Sequence, residues 1–274
     1  MMPFALSAYL ERIRLPLAPD ADAEGLLALQ RAHRLHIPFE NLDVILGRGI
    51  RIDSDTVFAK LVTARRGGYC FEHNRLFGDV LTALGFDHRP LLARVWLGQD
   101  DVPPLTHTLS LVTIDGEPWI ADPGFGGSYC PPMRLVEGAE AIAPDGATFR
   151  LSRAPVHGWM LHRHGDGFTT DGRVADADPG RQYSFTLANV FPADLALGNH
   201  WTSTWPGARF TTLHIVSMVL PHGFASLTGR AYRRRNGDKM AEGEIEDPRQ
   251  YRMRLSLLFG IDLTAEEVAD LGLF

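Results

Sequence analysis

A chain of 274 residues that is 45% hydrophobic and 22% charged has the make-up of an ordinary globular protein, as one large domain or two to three smaller ones. Its formal net charge of −6, with no long basic block, gives nucleic acid no electrostatic footing. No apolar run reaches the roughly 18 residues a membrane span needs, and the N-terminus has no basic region followed by an apolar stretch. Two cysteines, Cys70 and Cys130, make no disulfide framework, and all of this fits a reducing cytoplasm.

Up to about Gly85 the pattern is helical. Tyr9, Leu10 and Ile13 give an apolar face to an opening helix that Ser7 would cap and Pro16 and Pro19 would end. Leu26, Leu27, Leu29 and Leu35 mark a second helix. His33 and His36 lie at a metal-ligand spacing, but no Cys, Asp or Glu cluster joins them, so no metal is expected. Ser54 would cap a third helix, with Val57, Phe58, Leu61 and Val62 facing inward.

The stretch Arg65-Arg66-Gly67-Gly68-Tyr69-Cys70-Phe71-Glu72-His73-Asn74 then leads into Phe77, Val80, Leu81 and Leu84 at helical spacing, with Gly85 where a C-terminal cap would sit. Gly67-Gly68 therefore reads as a tight turn that leaves Cys70 in the first helical turn. Unpaired amides and the positive end of the helix dipole favour thiolate there, and the same amides suit a developing oxyanion. A small buried apolar cysteine is the alternative.

From Phe86 to Leu187 the pattern changes to strands and turns. Leu91–Leu97, His107–Ile114 and Trp119–Ala121 come first; Thr148–Leu151, Trp159–His162 and Tyr183–Leu187 follow. Dense turn signals, at Pro103-Pro104, Asp115-Gly116, Pro144-Asp145-Gly146, Gly165-Asp166-Gly167 and Asp171-Gly172, favour a small antiparallel barrel or curved sheet. Asp115-Gly116 is a strong hairpin signal, which would set His107 and Asp122 on adjacent strands within side-chain reach. A thiol, an imidazole and a carboxylate in that chain order form a nucleophile, a base and an orienter. Cys130 reads as an incidental loop residue, and His162 and His164 as surface residues on one strand face.

After Ala188 helix and strand mix. Thr211–Leu220 and Phe224–Leu227 read as strands, followed by a hairpin at Asn236-Gly237. Arg233-Arg234-Arg235 beside that turn suits a solvated hairpin tip; contact with the phosphates of a nucleotide cofactor is the sharper reading. Asp247 would cap a helix through Tyr251, Leu255, Leu258 and Phe259, and Thr264 with Glu267 forms a capping box for a last short helix. The chain thus divides into residues 1–85, 86–187 and 188–274, with no long linker between the parts.

Several segments together resemble the arylamine N-acetyltransferase family. They are Ile37-Pro38-Phe39-Glu40-Asn41-Leu42-Asp43, the Arg66–Glu72 box, Ala93-Arg94-Val95, Thr106-His107 and Asp122-Pro123-Gly124-Phe125-Gly126. Asn199-His200-Trp201-Thr202-Ser203-Thr204, Phe210 and Leu227-Thr228-Gly229-Arg230 continue the match. The resemblance implies an α+β fold with a cysteine-protease-like core: a helical bundle carrying Cys70, an antiparallel β-barrel carrying His107 and Asp122, and an α/β lid. It implies two-step acetyl transfer from acetyl-CoA, a substrate and not a bound cofactor, to an arylamine, arylhydrazine or N-hydroxyarylamine, with no metal.

Phe39, Phe71, Phe125 and Trp201 are candidates for the acceptor pocket, and the resemblance implies contact of Val95, Thr106 and Gly126 with the pantetheine arm. Glu40 and Asn41 would hold their loop by buried hydrogen bonds. Pro123 departs from the valine more usual after the aspartate, which bears on acceptor preference and not on the triad. Two rivals remain at this stage: a cysteine hydrolase or amide synthase using the same three residues, and a non-catalytic ligand-binding relative. Oligomeric state is left open, a homo-oligomer included.

Overall fold

The computed structural model describes residues 4–126, 128–165 and 180–274; the turn signals at Asp166-Gly167 and Asp171-Gly172, and Gly127, lie outside the described residues. The chain opens with helices at Leu6–Arg12 and Ala23–His36. The first stops sooner than its prolines predict, because Arg14 takes a left-handed φ of 54° and turns the chain at once. Ala5 and not Ser7 stands at its N-cap. Likewise Asp53, not Ser54, caps Ser54–Phe58, accepting the Thr56 amide at 3.0 Å. A π-helical turn, Ala59–Thr63, extends that helix.

The helix Cys70–Ala83 forms as its spacing predicts, and Gly85 follows with a φ of 83°. Phe77, Val80 and Leu81 are fully buried against Tyr9, Leu26, Leu29 and Val112. Burying a side chain of that size contributes about 1.5–3 kcal/mol, so this face fixes the helix against its neighbours.

Eight antiparallel strands make the second layer. Their spatial order is Met133–Arg134, Glu117–Ala121, Leu105–Ile114, Asp87–Val95, Gly180–Phe185, Gly158–His164, Thr148–Ala154 and Glu140–Ile142. The two outermost strands are consecutive in the chain. The crossing between them is pinned at both ends, by Leu135 N–H to the Pro118 carbonyl and Gly138 N–H to the Leu151 carbonyl, each 2.8 Å. The sheet therefore curls into a nearly closed barrel around Leu91, Leu109, Phe149, Leu151 and Leu161. The hairpin at Asp115-Gly116 has φ of 53° and 79°, the two positive values a tight two-residue hairpin needs. It pairs Ser110 with Ala121.

The third part is built on a five-stranded antiparallel sheet: Phe39–Glu40, Ile215–Leu220, Gly223–Thr228, Ala231–Asn236 and Lys239–Glu244. Helices Pro248–Phe259 and Ala265–Asp270 pack on it through Tyr251, Leu255, Phe259 and Val268. Its first strand comes from the N-terminal part, so Phe39 pairing with Ser217 stitches the two ends of the chain together. The expected strand over Thr211–Leu220 is shorter: Arg209–Thr212 is a helical turn and the strand begins at Ile215. Arg233–Arg235 lie inside the strand that leads to the Asn236 hairpin, with Arg233 3.8 Å from Glu242. Phe39, Tyr69, Cys70, Phe71 and Ile215 form a small cluster of their own.

Candidate active site

Cys70 is the first residue of its helix. The Glu72 carboxylate turns back to accept the Tyr69 amide at 3.1 Å, which fixes the entry to that turn. Glu72 also accepts from Lys60 at 2.8 Å, and Lys60 reaches Asp43 at 2.9 Å. Arg66 binds Glu40 at 2.7 Å and Asp43 at 3.2 Å. Burial works against the charge on Lys60, yet Glu72, Glu40 and Asp43 outweigh it and raise its pKa. Burial also works against the Asp43 carboxylate, and Lys60 and Arg66 outweigh it and hold its pKa down. These charges hold the glycine turn before Cys70. Asn41 donates to the carbonyls of Phe210 and Leu213, both at 2.7 Å, and Glu40 accepts the Leu42 amide at 2.9 Å.

His107 Nε2–H donates to Asp122 Oδ2 at 2.7 Å, with both residues buried. In that tautomer Nδ1 is the basic nitrogen of the ring. The ring packs against Phe125 and Tyr183, at centroid distances of 5.2 and 5.1 Å. Three donors hold the Asp122 carboxylate: His107, Asn74 Nδ2 at 3.2 Å and the Gly124 amide at 2.9 Å. Burial alone would raise its pKa; the His107 charge and these hydrogen bonds outweigh that and lower it. Asn74 also donates to the carbonyls of Cys70 and Thr108, at 3.2 and 2.6 Å. One amide thus ties the nucleophile helix, the His107 strand and Asp122 together. A Cβ on Gly124 would stand 2.3 Å from Asn74 Nδ2 and 2.9 Å from the Cys70 carbonyl, so this close approach needs glycine.

The Cys70 thiol points at the Thr106 carbonyl, 3.7 Å away. Burial pushes its pKa up, and the negative charge of Asp122 adds to this; the amides of Phe71 and Cys70 act in the opposite direction. Burial thus works against the lowered pKa that the helix terminus alone suggests. Helix-terminal amides are weaker than full burial, and the counter-charge that would offset both is an imidazolium on His107.

Cys70 and His107 open onto one cleft of about 430 Å³. Phe39, Phe125 and Trp201 line it, as do Val95 and Thr106. Phe71 does not: neighbouring helical residues point about 100° apart, and its ring lines a separate cavity with Asn74, Leu195 and Ala196. Gly126 is not in the wall either. Its φ of 77° seats it under the Phe39 ring, and its carbonyl accepts from Ser217 at 2.7 Å. The sequence reading gave Phe210 no role and missed Arg209; both line the cleft.

It also missed the groups behind the site. Gln30 accepts the Asp122 amide and donates to the Cys130 carbonyl, both at 2.7 Å. Arg34 donates to the Pro123 carbonyl at 3.1 Å. Arg12 donates to the carbonyls of Leu61, His36 and Arg65. A polar residue on the apolar face of a helix was the available signal for each of the three. His33 does not face a metal: its Nδ1 accepts from Tyr9 at 2.8 Å and its Nε2 contacts His73 Nδ1 at 2.7 Å. Among the described residues no group of three or more His, Cys, Asp or Glu is placed to hold a metal ion.

A family model described as N-acetyltransferase matches residues 22–268. An arylamine N-acetyltransferase of Escherichia coli is 39% identical over 224 residues, spanning 80% of this chain and 74% of the relative. One from Mycolicibacterium smegmatis is 35% identical over 270 residues, 96% of this chain and 94% of the relative. Among solved structures, that of an arylamine N-acetyltransferase from Salmonella typhimurium superposes with a TM-score of 0.90 at 32% identity, covering 100% of both chains. One from Mycobacterium marinum in complex with CoA gives 0.86 at 29% identity, over 97% of this chain and 98% of that one.

Proposed function

The chain belongs to the arylamine N-acetyltransferase family, acyltransferases that move an acetyl group from acetyl-CoA to an arylamine, and on that premise we propose that Cys70, His107 and Asp122 carry the transfer. The observation that supports this best is that His107, paired with Asp122, lines the same cleft as Cys70. The cleft suits its substrates. Val95 and Thr106 give a narrow wall for a thioester arm, and Phe39, Phe125, Phe210 and Trp201 give flat apolar surfaces for an aromatic amine.

In the first step Cys70 Sγ attacks the thioester carbonyl as its proton passes to His107 Nδ1. A sulfur–carbon bond forms, the bond to CoA breaks, and the proton goes to the departing thiolate. Moving the proton as the bond forms avoids a lone thiolate in a buried site beside Asp122. Asp122 stabilises the imidazolium and holds the ring by its Nε2. The amides of Cys70 and Phe71, at the open end of the helix, face the developing oxyanion.

In the second step the neutral amine attacks the acetyl-cysteine and loses its proton to His107. Cys70 leaves as thiolate and takes that proton back. Cys70 is 3% exposed, which limits the access of water to the acetyl group.

Both cysteines are free, and no helix among the described residues is long and apolar enough to cross a membrane. We place the protein in the cytoplasm on the strength of the free thiols, and assign it no nucleic-acid partner on the strength of its net charge of −6. Initial rates with acetyl-CoA and aniline varied together test the order of steps. Parallel lines in double-reciprocal plots support the acetyl-cysteine route; lines that intersect contradict it.

A further inference from the structure

The helix Pro192–Thr204 and its flanks expose several large apolar side chains. Leu197 is 70% exposed, and Phe191 and Trp205, just beyond its ends, are 64% and 55% exposed. Trp205 stacks on Trp201 at 6.1 Å. Leaving such side chains in water is unfavourable and marks a surface that something covers. Beside Leu197 lies a second trough of about 460 Å³, walled by Leu105, Val190 and Leu197. It shares Pro104, Thr106 and Trp201 with the Cys70 cleft, so the two hollows meet along those three residues.

The charge of the trough identifies its occupant. Of its lining residues only Asp194 is charged, and none carries positive charge. The phosphates of CoA would meet a carboxylate and no cation there, which disfavours the donor's nucleotide end. An uncharged flat group suits the apolar walls that Leu92, Leu105, Val190, Leu197 and Trp201 provide. Resting on the acetyl-transfer reading above, we propose that the trough is an acceptor subsite that takes the distal ring of an elongated arylamine, a biaryl or fused-ring amine whose amino group reaches Cys70. Trp201 stands between the two hollows and packs on the ring system where they join. Asn189 and Asp194 lie in the wall of the trough and accept from a hydroxyl or N–H on the far ring.

The test compares aniline with 4-aminobiphenyl in the full-length protein and in two variants that differ in kind. Leu197→Glu places a charge in the trough at an exposed position, and Ala188→Trp fills it with bulk. For both, kcat/KM for 4-aminobiphenyl is expected to fall about tenfold or more, while that for aniline stays within about twofold. Equal losses for the two amines, or no loss for 4-aminobiphenyl, overturn the subsite. Acetylation of Cys70 by acetyl-CoA alone, followed by intact mass, separates this from the catalytic reading. If that half-reaction fails in the unaltered protein, the triad assignment falls. If it proceeds and aniline is turned over while 4-aminobiphenyl is indifferent to both variants, only the subsite falls.

Discussion

Two lines of buried side chains flank the Cys70 helix, and both are built on histidine. In front, His107 reaches Asp122 and opens onto the cleft. Behind, Tyr9, His33, His73 and the Pro38 carbonyl form a chain with contacts of 2.8, 2.7 and 3.1 Å. The rear chain has no carboxylate. Burial lowers the pKa of His73 to about 3, with the Arg34 charge adding to this, and burial likewise lowers that of His33 with His73 adding. The rear histidines are thus locked neutral and act as a strut. The front histidine has a carboxylate behind it and a thiol in the same cleft, so a proton arriving on it is stabilised. Partner and access, not residue type, separate the two roles.

The largest effect should come from breaking each line in turn. His107→Gln is expected to cut turnover about 10³-fold or more, because the base is lost. His73→Gln is expected to keep kcat within about threefold and to lower stability by about 1–3 kcal/mol. Steady-state rates beside urea melts check both; equal losses of activity would erase the distinction.

Next, Asp122→Asn keeps the shape of the front line and removes its charge. Turnover is expected to fall on the order of 10³–10⁴-fold with the fold retained. An unchanged rate would show that the carboxylate does not orient the ring.

Acid should then act on the rear line. Its histidines are neutral when folded, with a folded pKa of about 3 for His73. The unfolded chain takes up their protons below a pKa of about 6.5. Stability is therefore indifferent to them above that pH and falls as pH drops from there towards 3. The slope is about 1.4 kcal/mol per pH unit for each histidine. Urea midpoints between pH 6.5 and 4.5 measure the slope, and the double variant His33→Gln/His73→Gln should flatten it. An equal slope in that variant would remove the strut from the account.

The smallest effect belongs to the loop between the two lines. Pro123 has no amide to donate, and what it contributes is a carbonyl to Arg34. Pro123→Val keeps that carbonyl, so Cys70 acetylation is expected to change by less than about threefold. A larger loss would tie the proline to the triad itself.

Much of the front line was legible in the sequence. The glycine turn, the helical spacing after Cys70 and the Asp115-Gly116 hairpin together predict the placement of the three residues proposed as the triad. Each is a local signal with a fixed geometric consequence. The barrel was legible from turn density, but its closure was not, since it depends on the crossing between Met133 and Glu140. The helix Pro192–Thr204 escaped because its polar and apolar residues are mixed around it and show no periodic face. Phe71, a candidate for the acceptor pocket as an aromatic residue, lies outside the cleft because a helix turns successive side chains away from each other. The helix terminus beside Cys70 is visible in sequence, while the burial that opposes its effect on the thiol is not. Gln30, Arg34 and Asn74 act over sequence separations of 34 to 100 residues, which no local pattern carries.

The central claim is that the acetyl group rests on Cys70 between donor and acceptor. Intact mass after mixing the protein with acetyl-CoA, without amine and beside a Cys70→Ala control, tests it directly. A single acetyl adduct that maps to Cys70, is absent from the control and is discharged by added arylamine is the result expected. No adduct on a folded protein with free thiols, or the same adduct on Cys70→Ala, would contradict it.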